Sequence, residues 1–444
     1  MRNITLKQAA QWCGGTVAPE YEQITFHGVN FDTRLLRAGE LFVAICGARD
    51  GHAYAQSAME KGAAAVLASR PVDAPAIYVD DTVAAMQRIA KAWRETLRAR
   101  VIGITGSVGK TTTRGMIASV LQTTFFTQTT LKNFNNDIGL PVSLLAVEDN
   151  CQAAVLEMGM NHRGELSALT AIAQPDIAVI TNIGTMHIEN LGSREGILHA
   201  KLEILEGLRP DGRAVFCGDD DLLRAEAKKY GALTFGLSEG CDVRGTAVNG
   251  TSFTVCGLGA HFPVSLKIAG EHNAYNALAA AAVGLLCGVT PENIQKGLAA
   301  YETTGMRQNV FTSDGITVIE DCYNAGPESM RAALKLLAGH EGRRIAVLGG
   351  MLELGDYAPQ AHTEVGAFAA QTADLLFVYG ENSEYYLRGA HDMAYAQGFP
   401  THEALAQALQ ATLRSGDVLL VKGSRGMKME RVLALLNIGG TNHG

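Results

Sequence analysis

Apolar positions along this chain fall into short continuous runs separated by stretches of helical spacing. The runs include ELFVAI (Glu40 to Ile45), AAAVLA (Ala63 to Ala68), VIGIT (Val101 to Thr105) and IAVIT (Ile177 to Thr181). Later come ITVIED (Ile316 to Asp321), RIAVLGG (Arg344 to Gly350), LLFVYG (Leu375 to Gly380) and DVLLVKG (Asp417 to Gly423). Unbroken apolar runs of this length read as strands buried on both faces, with helices crossing over between them. The pattern predicts an α/β fold built on parallel sheets.

Three segments follow from the pattern. Residues 1–99 mix short strands with Gly-rich turns, and a charged helix, QRIAKAWRETLRAR, leads into a new strand at Val101. Residues 100–302 open on that strand and include a Gly- and Thr-rich patch (Cys241 to Pro263) that reads as a hairpin appendage. Residues 303–444 carry four strong strand candidates with intervening helices, which suits a second, Rossmann-like doubly wound sheet. A length of 444 residues agrees with two to four domains, at roughly 100–200 residues each.

Composition narrows the function. Apolar residues make up 47% and charged residues 18%, which excludes a largely disordered chain. The net charge of −8 makes nucleic acid a poor partner. No apolar stretch is long enough for membrane insertion, and the start MRNITLKQAAQWCGG lacks a long apolar core after its basic residue. A cytoplasmic monomer is expected. The eight cysteines are scattered without a CxxC pair, so isolated buried thiols are expected rather than a zinc site or redox dithiol.

The sharpest local signal is VIGITGSVGKTTTRGMIASVL. A strand ends at Thr105, a glycine loop follows, and a helix begins near Gly109. Gly106 and Gly109 let the backbone turn its N–H groups inward around Ser107, toward phosphate at a helix N-terminus. Lys110 can reach the β- and γ-phosphates, and the Thr111 hydroxyl can bind Mg²⁺. Ile104 occupies the first glycine position of the strict phosphate-loop pattern, so the form here is T-G-S-x-G-K-T. Such a loop implies a nucleotide but is shared by kinases, GTPases, motors and ligases.

The loop form TGSVGKTT, with NFNNDIGLP after it, resembles the Mur ligase family. The resemblance runs on in order through FDTR, ELFVAICGARDGHAYAQSAMEKGAAAVL, LEMGMNHRGEL, TNIGTMHIENLGSREGI, AKLEI, GEHNAYNALAAAA, EDCYNAGPESM, GGMLELG and VLLVKGSRGMKME. It covers nearly the whole chain. It implies an ATP-dependent amide ligase of cell-wall precursor synthesis. DCYNAGPESM, MLELG and KGSRGMKME, with no DNPR-type motif, point within the family to the ligation of D-alanyl-D-alanine to UDP-N-acetylmuramoyl-tripeptide. A relative adding a single amino acid, or a non-catalytic nucleotide-binding relative, are the alternatives. Three positions depart from the family pattern: Gly326 in YNAGP, Gly350 in GGM, and Cys217 where asparagine is usual.

The candidate residues follow. Glu157, at the tip of an apolar strand beside the phosphate loop, is placed for Mg²⁺, and the resemblance implies the same role. It also implies a second metal-binding role for His187 and a carbamate on Lys201, which would turn an ammonium into an oxygen ligand. Thr105, Gly106, Ser107, Gly109, Lys110, Thr111 and Thr112 make up the ATP phosphate site, and Asn276 is implied at the adenine. Arg307 could reach phosphates when domains close, and Asp321 could take the ribose hydroxyls. Tyr323 and Asn324 follow at the carboxyl end of that strand, where α/β sheets bind ligands. Thr33 and Arg34 are implied at the uridine diphosphate. Asn133, Asn135 and Asn136 form a loop cluster of either turn chemistry or substrate readout. Lys422 and Ser424, with Arg425, could receive the dipeptide carboxylate. Rotation of the third segment is expected, with a hinge at residues 301–305.

Overall fold

The computed structural model describes residues 4–303 and 305–438. The chain folds into α/β layers around three main sheets. A five-stranded sheet near the N-terminus runs Thr16–Val17, Ala76–Tyr78, Ala65–Ala68, Leu41–Val43, Val29–Asn30, with only the first pairing antiparallel. A nine-stranded sheet follows. Its parallel part places Arg100–Thr105 between Ile177–Ile180 and Ala153–Glu157. Val243–Asn249 joins its far edge in parallel, and Ser252–Gly257 and Ala260–Ser265 extend that edge antiparallel.

The third sheet has six strands, ordered Asn309–Ser313, Ile316–Asp321, Asp417–Lys422, Arg343–Gly349, Leu375–Tyr379, Ala396–Phe399. The four apolar runs are its four inner strands. The two edge strands escape the apolar pattern because each presents a polar side to solvent: Asn309–Ser313 alternates half-buried and exposed along its length.

The cores divide the molecule unevenly. One continuous apolar cluster runs from Ile4 to Tyr301 through the first two sheets. Arg94, fully buried on helix Thr82–Thr96, fastens them by donating to Ala173 O, Gln174 O and Asp176 Oδ2. The third sheet has two clusters of its own, one on each face. It therefore meets the rest of the molecule mainly through side-chain contacts and the chain near 301–305. Tyr301 is buried and Gly305 has φ +69°, while Thr304 lies outside the described residues.

The cysteines are unpaired, and Cys13, Cys151, Cys217 and Cys322 are buried. Cys46 corrects the expectation of buried thiols: it is exposed, on a turn bridged to Asp50. Cys46, Asp50 and His52 approach within 4.8 Å. Their polar groups are already engaged, with Arg70 on Asp50, His52 Nδ1 on Asp50 and Ser69 N–H donating to His52 Nε2. Among the described residues no helix is long and apolar enough to cross a membrane.

Candidate active site

Strand Arg100–Thr105 ends at the centre of the nine-stranded sheet, and helix Lys110–Leu121 begins after Gly109. Both turn glycines are obligatory. Gly109 has φ +82°, and a Cβ there would lie 2.6 Å from Asn276 Oδ1. A Cβ at Gly106 would collide with Thr181 Oγ1. Lys110 Nζ donates to Gly106 O at 2.7 Å, so the ammonium lies over its own loop. Burial lowers its pKa, and the Glu157 carboxylate partly opposes that.

Glu157 ends the strand adjacent to the loop and is 3% exposed. Its Oε2 accepts from Thr111 Oγ1 at 2.8 Å and its Oε1 from Asn135 Nδ2 at 2.9 Å. Arg114 Nη1 stands 3.6 Å from Oε2. A buried carboxylate held by these donors faces a cavity rather than solvent.

The loop after strand Ile177–Ile180 is knitted to the phosphate loop. Val108 N donates to Asn182 Oδ1, Ser107 N to Asn182 O, and Gly184 N to Ser107 Oγ. Thr181 Oγ1 donates to Val108 O. The loop then reaches His187, which adopts φ +65°. His187 Nδ1 lies 2.6 Å from Glu353 Oε2, a contact that holds the Glu353 carboxyl below its usual range.

The third sheet supplies the opposite wall. The Arg307 guanidinium stacks over the Tyr323 ring at 3.8 Å. Lys422 Nζ donates to Asp321 Oδ2 at 2.6 Å and to Asn324 O at 2.9 Å, both charged groups being buried. One cavity of about 600 Å³ joins these walls.

Ser107, Gly109, Lys110, Thr111, Thr112, Asn135, Asn136, Glu157, His187, Asn276, Arg307, Asp321, Tyr323, Asn324 and Lys422 all line that cavity. The other sequence candidates stand apart from its lining. Thr105 is fully buried at the strand end, with its hydroxyl unpartnered. Lys201 is 1% exposed on helix Arg194–Leu202. Ser424 borders a smaller neighbouring cavity of about 220 Å³ with Tyr323 and Glu353. Thr33 and Arg34 sit on a surface turn, where Asp32 clasps the Arg34 guanidinium. That turn adjoins the asparagine loop through the Phe31–Phe134 ring contact at 5.8 Å, and Asn133 in that loop is exposed.

Three sequence models match the chain: a Mur ligase family catalytic domain over 25–104, a Mur ligase middle domain over 104–284, and a Mur ligase glutamate ligase domain over 306–425. The chain belongs to the Mur ligase family. A UDP-N-acetylmuramoyl-tripeptide--D-alanyl-D-alanine ligase of Bacillus subtilis is 43% identical over 97% of both chains. The Escherichia coli ligase of that name is 35% identical over 99% of this chain and all of its own. A MurF crystal structure from Acinetobacter baumannii superposes with a TM-score of 0.91 at 33% identity, covering 98% of this chain and 99% of that one. The Thermotoga maritima MurF ligase, solved with ADP, gives 0.82 at 30% identity, covering 92% and 97%.

Within this Mur ligase several polar candidates are spent on the protein itself. Asn276 Oδ1 accepts from Thr113 Oγ1, and its Nδ2 donates to Asn273 Oδ1 at 3.2 Å. Its amide therefore backs Gly109. Ser424 Oγ donates to Ala325 O and accepts from Leu352 N. Cys217 lines the cavity, and burial pushes its thiol up to about 12, so it is an apolar wall rather than a nucleophile. Nothing in the structure explains Gly350.

Sequence reasoning missed Asn182, His272, Gln308, Glu328 and Glu353. Gln308 Oε1 accepts from Asn273 Nδ2 at 2.9 Å, and its Nε2 stands 2.5 Å from His272 Nε2, across the domain junction. Glu328 and Glu353 lay inside the quoted PESM and LELG blocks, but as helix-start and turn acids they gave no local sign of a partner far away in sequence.

Proposed function

We propose that this Mur ligase is an ATP-dependent, ADP-forming enzyme that joins D-alanyl-D-alanine to UDP-N-acetylmuramoyl-tripeptide in peptidoglycan precursor synthesis. The carrying observation is the single cavity in which Lys110, Thr111 and Glu157 face Tyr323, Asn324 and Lys422 of the third sheet. The relatives' activity supplies the identity of the substrates.

The terminal carboxylate of the tripeptide attacks the γ-phosphorus of ATP, and ADP leaves with the bonding electrons. The dipeptide amine then attacks the acyl-phosphate carbonyl, expels phosphate and loses a proton. Both steps gather negative charge, so positioning and neutralisation dominate. The phosphate-loop amides and Lys110 hold the triphosphate, and Arg307, kept flat on Tyr323, meets it from the third domain. The first domain would hold the uridine nucleotide near Thr33, Arg34 and the Asn133 to Asn136 loop. Buried Lys422 is paired with Asp321 and exposed Arg425 with Glu430 at 2.7 Å, so either one takes the dipeptide carboxylate only by exchanging a carboxylate partner.

The donor set fits a hard divalent cation: the Thr111 hydroxyl and the Glu157 carboxylate meet at the cavity, and His187 lines the same cavity with its Nδ1 against the Glu353 carboxylate. These residues would hold Mg²⁺, which supplies charge neutralisation at the phosphates. Lys201 fits a carbamate. No ion pair joins it to another described residue, and burial together with the Lys110 charge drives its pKa well down. That shift favours the uncharged amine, the form from which a carbamate is made.

The test is phosphate release with UDP-linked tripeptide, with and without D-alanyl-D-alanine, and the product read by mass. Release that depends on the dipeptide and yields a pentapeptide supports the reading. ATP loss with no longer peptide overturns it.

A further inference from the structure

The loop bearing His187 is held by the third domain at successive residues. Glu328, in the first turn of helix Pro327–Ala338, accepts from Thr185 N at 2.9 Å and Thr185 Oγ1 at 3.0 Å. A Cβ at Gly184 would lie 2.7 Å from the Glu328 carboxyl carbon, so the close approach needs the glycine. Met186 packs on Gly326, where a Cβ would meet the thioether sulfur head-on. A side chain at Gly326 would therefore require the Met186 thioether to move. Ile188 packs against both the continuous core and a third-domain core.

The same loop carries the hydrogen bond from Gly184 N to Ser107 Oγ of the phosphate loop. A carboxylate at a helix start is favoured by the exposed N–H groups there, so it is a stiff acceptor. We propose that Glu328 is a positioning residue: it transmits seating of the third domain, which brings the amine, to the His187 loop and so to the phosphate loop. Ligation then proceeds only when that domain is docked. The proposal rests on the reading of His187 as part of the reaction centre.

The test compares Glu328→Ala and Glu328→Gln with the parent chain. For Glu328→Ala the turnover should fall about 10–100-fold, the usual cost of losing an outer-shell partner. The KM for ATP and the calorimetric affinity for ADP should stay within about twofold, since the loop's own amides are untouched. Small-angle scattering with all substrates should show a less compact particle. Glu328→Gln keeps an oxygen acceptor for Thr185 and should recover most of the turnover. Unchanged turnover in Glu328→Ala, equal losses of ADP affinity and turnover, or a glutamine variant as poor as alanine would each overturn the proposal. Should Glu328→Ala fail to fold, Thr185→Val removes the hydroxyl donor from the other side and must show the same split in weaker form. If the parent itself forms no pentapeptide, the ligase reading fails, and the scattering difference on substrate addition alone decides whether Glu328 seats the domain.

Discussion

Thr111 Oγ1 donates to Glu157 Oε2 at 2.8 Å, tying the first turn of the phosphate-loop helix to the tip of the neighbouring strand. The two residues are far apart in sequence; strand Ala153–Glu157 pairs in parallel with Arg100–Thr105, the strand that leads into the Thr111 helix, and this brings them together. Glu157→Gln keeps the shape and removes the charge. Turnover should fall about 100-fold or more, the scale for losing one preorganised electrostatic group, with little change in melting temperature. Steady-state phosphate release and thermal melts check this.

Gly109→Ala should weaken ATP binding at least about tenfold. The new methyl group meets the Asn276 amide, and φ +82° is strained for any L side chain. Isothermal calorimetry with ADP reads the effect directly.

Lys201→Ala should lose most activity, and a short-chain carboxylic acid in the buffer should restore part of it by supplying the oxygens that the proposed carbamate would provide. Full turnover without additive would remove Lys201 from the site.

Asp321 and Lys422 form a buried pair. Asp321→Asn leaves the ammonium without its counter-charge and should cost about 3–5 kcal/mol. Adding Lys422→Met should return most of it. Urea unfolding of the single and double variants tests the coupling.

Arg34 holds the Asp32 carboxyl down at about 2. A folded pKa below the unfolded one means stability present above the ordinary carboxylate range and lost as pH falls toward 2. Arg34→Ala should return the Asp32 titration to about 4, as NMR would show, and remove that acid-side slope. The pair is on the surface, so its effect on stability near pH 7 should be small.

Much of the fold is written in the sequence itself. Continuous apolar runs encode buried strands because a parallel sheet is covered on both faces, so VIGIT, IAVIT and DVLLVKG announced their own positions. The glycine loop was legible because phosphate binding needs a local backbone shape, written in adjacent residues. Edge strands such as Asn309–Ser313 were not, since one side of them faces water.

What tertiary structure decided is how polar groups pair across long sequence distances. Asn276 carries an amide in either case, but only packing shows it turned against Thr113 and Gly109 rather than left open. Lys422 is a cation by sequence, and only the neighbouring strand reveals Asp321 upon it. Glu328 has no local pattern because its partner loop is supplied by another domain. Periodicity reports whether a side chain is covered, since burial follows the repeat of its own element; hydrogen-bond partners are set by which elements the fold brings face to face.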